Sequence, residues 1–429
     1  MIIHIVQSGE TAKSIANAYG ISEEWLILEN RIDNPNQLVP GESYVILFPQ
    51  ITHTVQEGDS LASIAATYSV TVMDLLRNNT RLSEGQPPNI GEPIIIRYED
   101  TIRSKISVNS YTLPFIDKGV LRKTLPYLTY LTILSYEITS EGEVIDIYDN
   151  TDIEVIELSK EYDVVPIMFL PFPEPNRIEA NDITHIILNN ADIQERFISN
   201  VLTILRSKGY LGLNFDTAYI FPNDRHLFSD FINNFINQIK KEGFFVFNTL
   251  STTSFELIVG SLYTTFDYTI INPQVDSTYI LPFEMKTFLE VPTGSIPFNN
   301  VVEIVDFTNS LIPSSKLSLS MSSIGYIWEL PYIQGDSIGR VIPGQTVLQL
   351  ARDYGLPIQF DEYTQSAFIY FLQDGIESLI LFKDARSIEA SLELASENNI
   401  QSIALWSIME FFPDLWLIIN SQYEILKIL

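Results

Sequence analysis

The sequence predicts an α/β chain: a (β/α)8 barrel carrying a small α+β insertion between its seventh and eighth strands, preceded by two βααβ units. Three observations lead there. The first hundred residues repeat themselves, with His4 recurring as His53 and the residues after it in step. Beyond residue 107, eight short apolar runs alternate with stretches of helical periodicity, the pattern of parallel strands covered by helices. And 429 residues exceed one ordinary domain but accommodate a barrel of roughly 250 residues plus smaller units.

In the repeat, His4-Ile5-Val6-Gln7-Ser8-Gly9-Glu10-Thr11 returns as His53-Thr54-Val55-Gln56-Glu57-Gly58-Asp59-Ser60. Ser14, Ile15, Ala16, Tyr19, Leu26 and Asn30 return as Ser63, Ile64, Ala65, Tyr68, Leu75 and Asn79. Each copy reads as a strand, a turn at Gly9 or Gly58, a helix capped by Thr11 or Ser60, a second helix reaching Asn30 or Asn79, and a closing strand. This pattern is very similar to the LysM module, in residues 2–48 and 52–98. The resemblance implies binding of N-acetylglucosamine-containing glycans such as peptidoglycan or chitin. By position it assigns that role to Gly9, Glu10, Thr11 and Asn30 in one copy and to Gly58, Asp59, Ser60 and Asn79 in the other. The plainer alternative is that the glycines are turns and the polar residues caps, needed for the fold with or without sugar.

A short connection near residues 101–107 leads into the barrel, 107–429. Its candidate strands are 109–116, 130–136, 164–170, 211–217, 244–250, 266–271, 317–321 and 402–407. Between the third and fourth, Ile193, Phe197, Val201 and Leu205 recur at helical spacing and stop at Lys208-Gly209. After the fourth, Phe231, Phe235 and Ile239 mark another amphipathic helix. So long a connection as that between strands seven and eight must hold structure of its own, an insertion at about 326–390.

The fourth run carries the chemistry. Leu211, Leu213 and Phe215 alternate with small or polar residues and lead into Asp216-Thr217-Ala218. The stretch resembles the fourth-strand motif of family 18 glycoside hydrolases, Asp-Gly-x-x-x-Asp-x-Glu, with Gly212 and Asp216 in register and Ala218 where the family has its acid. The fold it implies is a TIM barrel. Hydrolysis in that family needs the Glu to protonate the glycosidic oxygen while the substrate's own acetamido group attacks, an exception to the two-carboxylate scheme. General acid catalysis is typically worth about 10² to 10⁴ in rate, and a methyl group supplies no proton. Asn214 also stands where the motif has an upstream acid. With the sixth strand at 266–271, the following Asn272-Pro273-Gln274-Val275 lacks the family's acetamido-orienting Tyr and its Asp. No catalytic residue is therefore expected, and Asn214, Asp216, Ala218 and Gln274 form a degenerate site. A sugar could still rest on Asp216, Tyr136, Glu137, Tyr219 and Trp406, the last corresponding to the family's floor aromatic. Each also has a plain reading as a core aromatic, a hydrogen-bonded acid or a solvated charge.

Two LysM copies followed by a barrel with this insertion resemble, end to end, the spore cortex-fragment lytic N-acetylglucosaminidases of spore-forming Gram-positive bacteria. A net charge of −29 repels phosphate backbones and anionic membrane surfaces, so nucleic acid is not expected as a partner. The absence of Cys and the scattering of four His predict no disulfide, metal site or cofactor. No apolar run approaches about 20 residues, so no membrane insertion is expected. Met1 to Gln7 shows no secretory signal, which suits a protein made in the cytoplasm and laid onto the surface layers of a spore. The expected function is non-catalytic binding of peptidoglycan. The alternatives are a self-assembling scaffold of coat or exosporium, with spore-layer proteins or copies of itself as partners, and a residual N-acetylglucosaminidase.

Overall fold

A computed structural model describes residues 1–84, 87–99, 102–172, 182–216, 222–250, 274–282, 298–333, 337 and 339–429. Eight parallel strands close into a barrel: Ser104–Thr112, Tyr130–Ile133, Val165–Pro171, Gly212–Asp216, Phe245–Leu250, Ser277–Ile280, Leu317–Ser322 and Ser402–Trp406. Each pairs with the next, and the eighth pairs back onto the first. A short strand, Tyr423–Ile425, runs beside the start of the first.

Alternation along the fourth strand sends Leu213 and Phe215 out into the layer shared with the helices and leaves Gly212, Asn214 and Asp216 on the barrel side. At Gly212 an added Cβ would lie 2.6 Å from the Phe245 carbonyl oxygen, so the close approach of the neighbouring strand requires glycine. Outside, Ala191–Lys208 starts on the Asn190 side chain, which accepts from the Ile193 N–H, and stops at Gly209 in a left-handed conformation. It meets Arg225–Lys241 through Phe197, Phe231 and Phe235, the latter two stacked at 14°. Burying each such ring is worth about 1.5–3 kcal/mol.

Three strand assignments differ from the sequence reading, the first strand covering Ser104–Thr112 rather than 109–116. Residues 266–271 lie outside the described residues, and the sixth place in the barrel is taken by Ser277–Ile280, parallel to the fifth and seventh strands. Phe266, Tyr268, Ile270 and Ile271 make a denser β-forming run than Ser-Thr-Tyr-Ile, and a four-residue strand offers almost no period to detect. The second strand ends at Ile133; Tyr136–Ile138 instead pairs antiparallel with Val144–Asp146 in a separate hairpin.

Between strands seven and eight lies a five-stranded antiparallel sheet built from Ile324–Glu329, Arg340–Pro343, Gln359–Asp361, Ser366–Gln373 and Ile376–Phe382. The helix Gly344–Tyr354 buries Val347 and Ala351 in the same cluster as Ile369 and Ile380 of this sheet.

The N-terminal units are βααβ as expected. Ile2–Ile5 pairs with Ser43–Ile46 around helices Ala12–Tyr19 and Glu23–Glu29, and Pro49–Thr54 pairs with Pro93–Tyr98 around Leu61–Tyr68 and Val72–Asn78. Thr11 with Ser14, and Ser60 with Ser63, form reciprocal capping boxes. Both units are docked rather than tethered. In the first, Glu42 lies 2.7 Å from Arg352 of the insertion and the Ile358 N–H donates to the Pro40 carbonyl at 2.9 Å. In the second, the Tyr127 hydroxyl donates to the Arg77 carbonyl at 2.6 Å, and Arg77 donates to the Pro126 carbonyl at 3.1 Å. The Tyr98 hydroxyl, held by Glu29, joins the units to each other.

Candidate functional site

Parallel barrel strands all present their C-terminal ends on one face, where such folds place their chemistry. Asp216 is the last residue of the fourth strand, in register with Pro171 of the third and Thr249 of the fifth. Two residues earlier Asn214 is fully buried. Its amide donates to the Tyr111 hydroxyl at 3.2 Å and its carbonyl oxygen accepts from the Thr249 hydroxyl at 2.9 Å, while the two hydroxyls lie 3.0 Å apart. This triangle carries no charge. Burial raises the Tyr111 hydroxyl well above its ordinary pKa, and the nearby Asp216 adds to the effect, so Tyr111 stays neutral. Trp406 ends the eighth strand half-buried, its ring 5.0 Å from that of Tyr111 and tilted by 49°.

Asn214 and Trp406 thus meet through Tyr111 at the end of the barrel that Asp216 occupies. Tyr111 and Thr249 were not singled out in the sequence, although continuing the alternation from Asn109 through the first predicted strand puts Tyr111 on the inner face. Ala218 and Tyr219 lie outside the described residues.

Three expected site residues are elsewhere. Tyr136 follows the end of the second strand, where the chain leaves the barrel for the hairpin; its ring is buried in the strand–helix layer and its hydroxyl donates to Asp152 at 2.6 Å, with Lys208 over the ring. Glu137 is exposed on the same hairpin. Gln274 precedes the sixth strand and so sits at the N-terminal end of the barrel, opposite Asp216. There its side chain meets Asn233 and its carbonyl accepts from Lys240 at 3.0 Å.

In the N-terminal units, Gly9 and Gly58 take φ of +86° and +91° at the tips of their turns. Glu10 accepts from the Gln7 N–H at 2.7 Å and lies 2.9 Å from His4 Nε2, whose Nδ1 is 3.1 Å from the Tyr19 hydroxyl. Asp59, Gln56, His53 and Tyr68 repeat the relay at 2.7, 2.8 and 3.1 Å. Burial pushes the Glu10 carboxyl up, but the Gln7 N–H and His4 outweigh it and leave it below its ordinary range. The Gln56 N–H and His53 likewise lower Asp59. These bonds tie the first strand, the turn and the first helix into one unit.

Asn30 and Asn79 are engaged within the fold. The Asn30 amide donates to the carbonyls of Leu26 and Val45 and its oxygen accepts from the Val45 N–H; Asn79 does the same with Leu75 and Ile95. Both side chains join the second helix to the closing strand, using both amide hydrogens and one lone pair of the oxygen there.

The sequence pattern of glycosyl hydrolases family 18 matches residues 181–410, more than half the chain. The chain belongs to this family. The LysM domain pattern matches residues 4–43 and 53–97. This family 18 chain is 26% identical to the cortical fragment-lytic enzyme of Bacillus anthracis, with 98% of each chain covered, and 26% identical to that of Bacillus subtilis (strain 168), covering 100% of this chain and 99% of the relative. The crystal structure of the spore cortex-lytic enzyme SleL of Bacillus megaterium QM B1551 superposes with a TM-score of 0.80 at 26% identity, covering 100% of this chain and 99% of that one. A chitinase of Chromobacterium violaceum ATCC 12472 shares the fold at 17% identity and a TM-score of 0.63, covering 74% of this chain and 98% of its own.

Ile280, which ends the sixth strand, is followed by Leu281-Pro282-Phe283-Glu284, so the sequence directly after this strand offers an aromatic and an acid but no Tyr. Phe283 and Glu284 lie outside the described residues.

Proposed function

We propose that this family 18 chain is a non-catalytic glycan-binding protein of a spore's outer layers, docking on peptidoglycan or another N-acetylglucosamine glycan through its LysM pair. The observation that carries the reading is Ala218, a methyl group two residues beyond Asp216 where the family's motif has its proton donor. The uncharged Asn214–Tyr111–Thr249 triangle supports it, because none of the three groups is an acid at neutral pH. The sequence directly after the sixth strand, with no Tyr to orient an acetamido group, supports it again. The turns at Gly9, Glu10 and Thr11 and at Gly58, Asp59 and Ser60 are the proposed sugar contacts in residues 2–48 and 52–98; in the barrel of residues 107–429, Asp216, Tyr219 and Trp406 are.

Sedimentation of the full chain with purified peptidoglycan tests the docking, and competition by N-acetylglucosamine oligomers should release it. Glu10→Ala with Asp59→Ala, which unfastens both turns, should weaken retention about tenfold, in line with losing one charge-assisted bond per unit. Release of reducing ends from muropeptide fragments by the unmodified chain would instead show that it hydrolyses glycan. A scaffold role is favoured by one feature, the exposed Tyr370, Leu372 and Ile376 on the insertion's last hairpin. Concentration-dependent assembly without glycan, abolished by Leu372→Asp, would establish that role instead.

A further inference from the structure

We propose that two copies of this chain pair edge to edge through the insertion's sheet, residues 369–373 of one running antiparallel to the same residues of the other. In that sheet Ser366–Gln373 lies between two strands of unequal reach. Ile376–Phe382 pairs with it from Ala367 to Gln373, whereas Gln359–Asp361 covers only Ser366 to Phe368. The outer edge of residues 369–373 therefore has no strand beside it among the described residues, and alternate backbone groups there point outward without a ladder partner.

None of the usual protection guards this edge. Ile369-Tyr370-Phe371-Leu372-Gln373 contains no charge, no Pro and no Gly, and most of it is strongly β-forming. Alternation puts Tyr370 and Leu372, 47% and 67% exposed, on one face. On the other face Tyr354, the exposed last residue of the helix Gly344–Tyr354, sets its ring 5.1 Å from that of Phe371. Apolar surface thus flanks the open backbone on both sides.

The two ends of the stretch fix what fits. Gln359–Asp361 occupies the edge as far as Phe368, and the turn at Asp374-Gly375, both at positive φ, follows directly on Gln373. Two copies related by a twofold axis normal to the sheet use all five residues only when Phe371 faces its own counterpart. Tyr370 then faces Leu372 of the other copy, twice, as an aromatic–aliphatic cross-strand pair. The two Tyr354 rings lie on the same side of the joined sheet. With a net charge of −29, most of the surface repels a second copy. These five residues do not, and in this register Asp374 falls outside the paired stretch, so no like charges are set opposite each other. The edge is its own complement. Pairing about a twofold uses up both edges and stops at two copies, unlike open-ended assembly. It is independent of glycan docking, although it would carry two LysM pairs on one particle and so raise retention on a polymer.

Sedimentation equilibrium of the full chain tests it. So short a strand pair buries less than a standard interface, and the dimer should dissociate at about 1–100 μM. Tyr370→Lys and Leu372→Glu, each alone, alter both cross-strand pairs and should weaken the dimer about tenfold or more. Tyr370→Lys with Leu372→Glu in the same chain sets Lys against Glu across the axis, twice, and should return the dimer to within about threefold of the unmodified chain. A loss caused by misfolding would not be restored in this way. Hydrogen exchange of the unmodified chain gives a reading without substitution: amides within residues 369–373 should slow as concentration rises through the dissociation constant. A chain that stays monomeric to about 500 μM, a dimer indifferent to both single changes, a double variant no tighter than the singles, or growth past two copies overturns the proposal.

Discussion

Restoring a carboxyl at position 218 alone would leave the chain after the sixth strand without a Tyr to orient the acetamido group, and the family's reaction needs both groups to act on one substrate. Ala218→Glu is therefore expected to stay at the background rate in a reducing-end assay. Ala218→Glu with Phe283→Tyr should rise above it, recovering part of the about 10² to 10⁴ that a general acid supplies. Equal rates for the single and double variants would separate residue 283 from the chemistry. Asn30 and Asn79 illustrate the opposite case, polar residues whose repetition invites a ligand-binding reading but whose atoms are bonded within the fold. Asn30→Ala or Asn79→Ala should cost about 1–3 kcal/mol, because each strands buried backbone groups of a helix and a strand. Urea midpoints measure that loss, and glycan affinity per folded molecule should not change.

At the scale of elements, the joint between the helix Glu23–Glu29 and the strand Pro93–Tyr98 sets a pH dependence. Burial raises the Glu29 carboxyl from its usual 4.5 to about 7, against the opposing hydrogen bond from Tyr98. A carboxyl raised on folding binds its proton more tightly in the folded chain. Its contribution is therefore full below about pH 4.5 and is lost as pH rises through about 7. Asp414, in the first turn of the helix Pro413–Gln422, acts in the same direction, pushed up to about 8 by burial and then by Asp384 and Glu42. Stability should accordingly decline between pH 5 and 8. Glu29→Gln should remove about 1–3 kcal/mol of that decline, seen as denaturant midpoints that converge at pH 5 and separate at pH 8.

For the molecule as a whole, docking matters more than sequence adjacency. Gly41, in the first LysM module, has φ +86°, and a Cβ there would fall 1.8 Å from the Ile358 carbonyl oxygen of the insertion. Gly41→Ala should destabilise the chain by about 2–4 kcal/mol, through both backbone strain and displacement of the module. Calorimetry should show one transition for the unmodified chain and two for the variant, as the first module melts apart from the barrel. A single transition with an unchanged midpoint would mean that the module contributes nothing to the barrel's stability.

The sequence by itself determined the repeated module, a barrel of eight strands, the strongly acidic balance and the methyl at position 218, because each is a local pattern or a count. Even the sixth strand was anticipated in number, though its place was not, since four residues between neighbouring strands carry too little periodicity to outweigh a more β-forming run nearby. Only the tertiary structure decided that Tyr136 turns away from the barrel, that Gln274 lies at the opposite end from Asp216, and that residues 369–373 keep an open sheet edge among the described residues. Those outcomes depend on contacts such as Glu42 with Arg352, 310 residues apart in the chain, and no short-range spacing encodes which distant surfaces will meet.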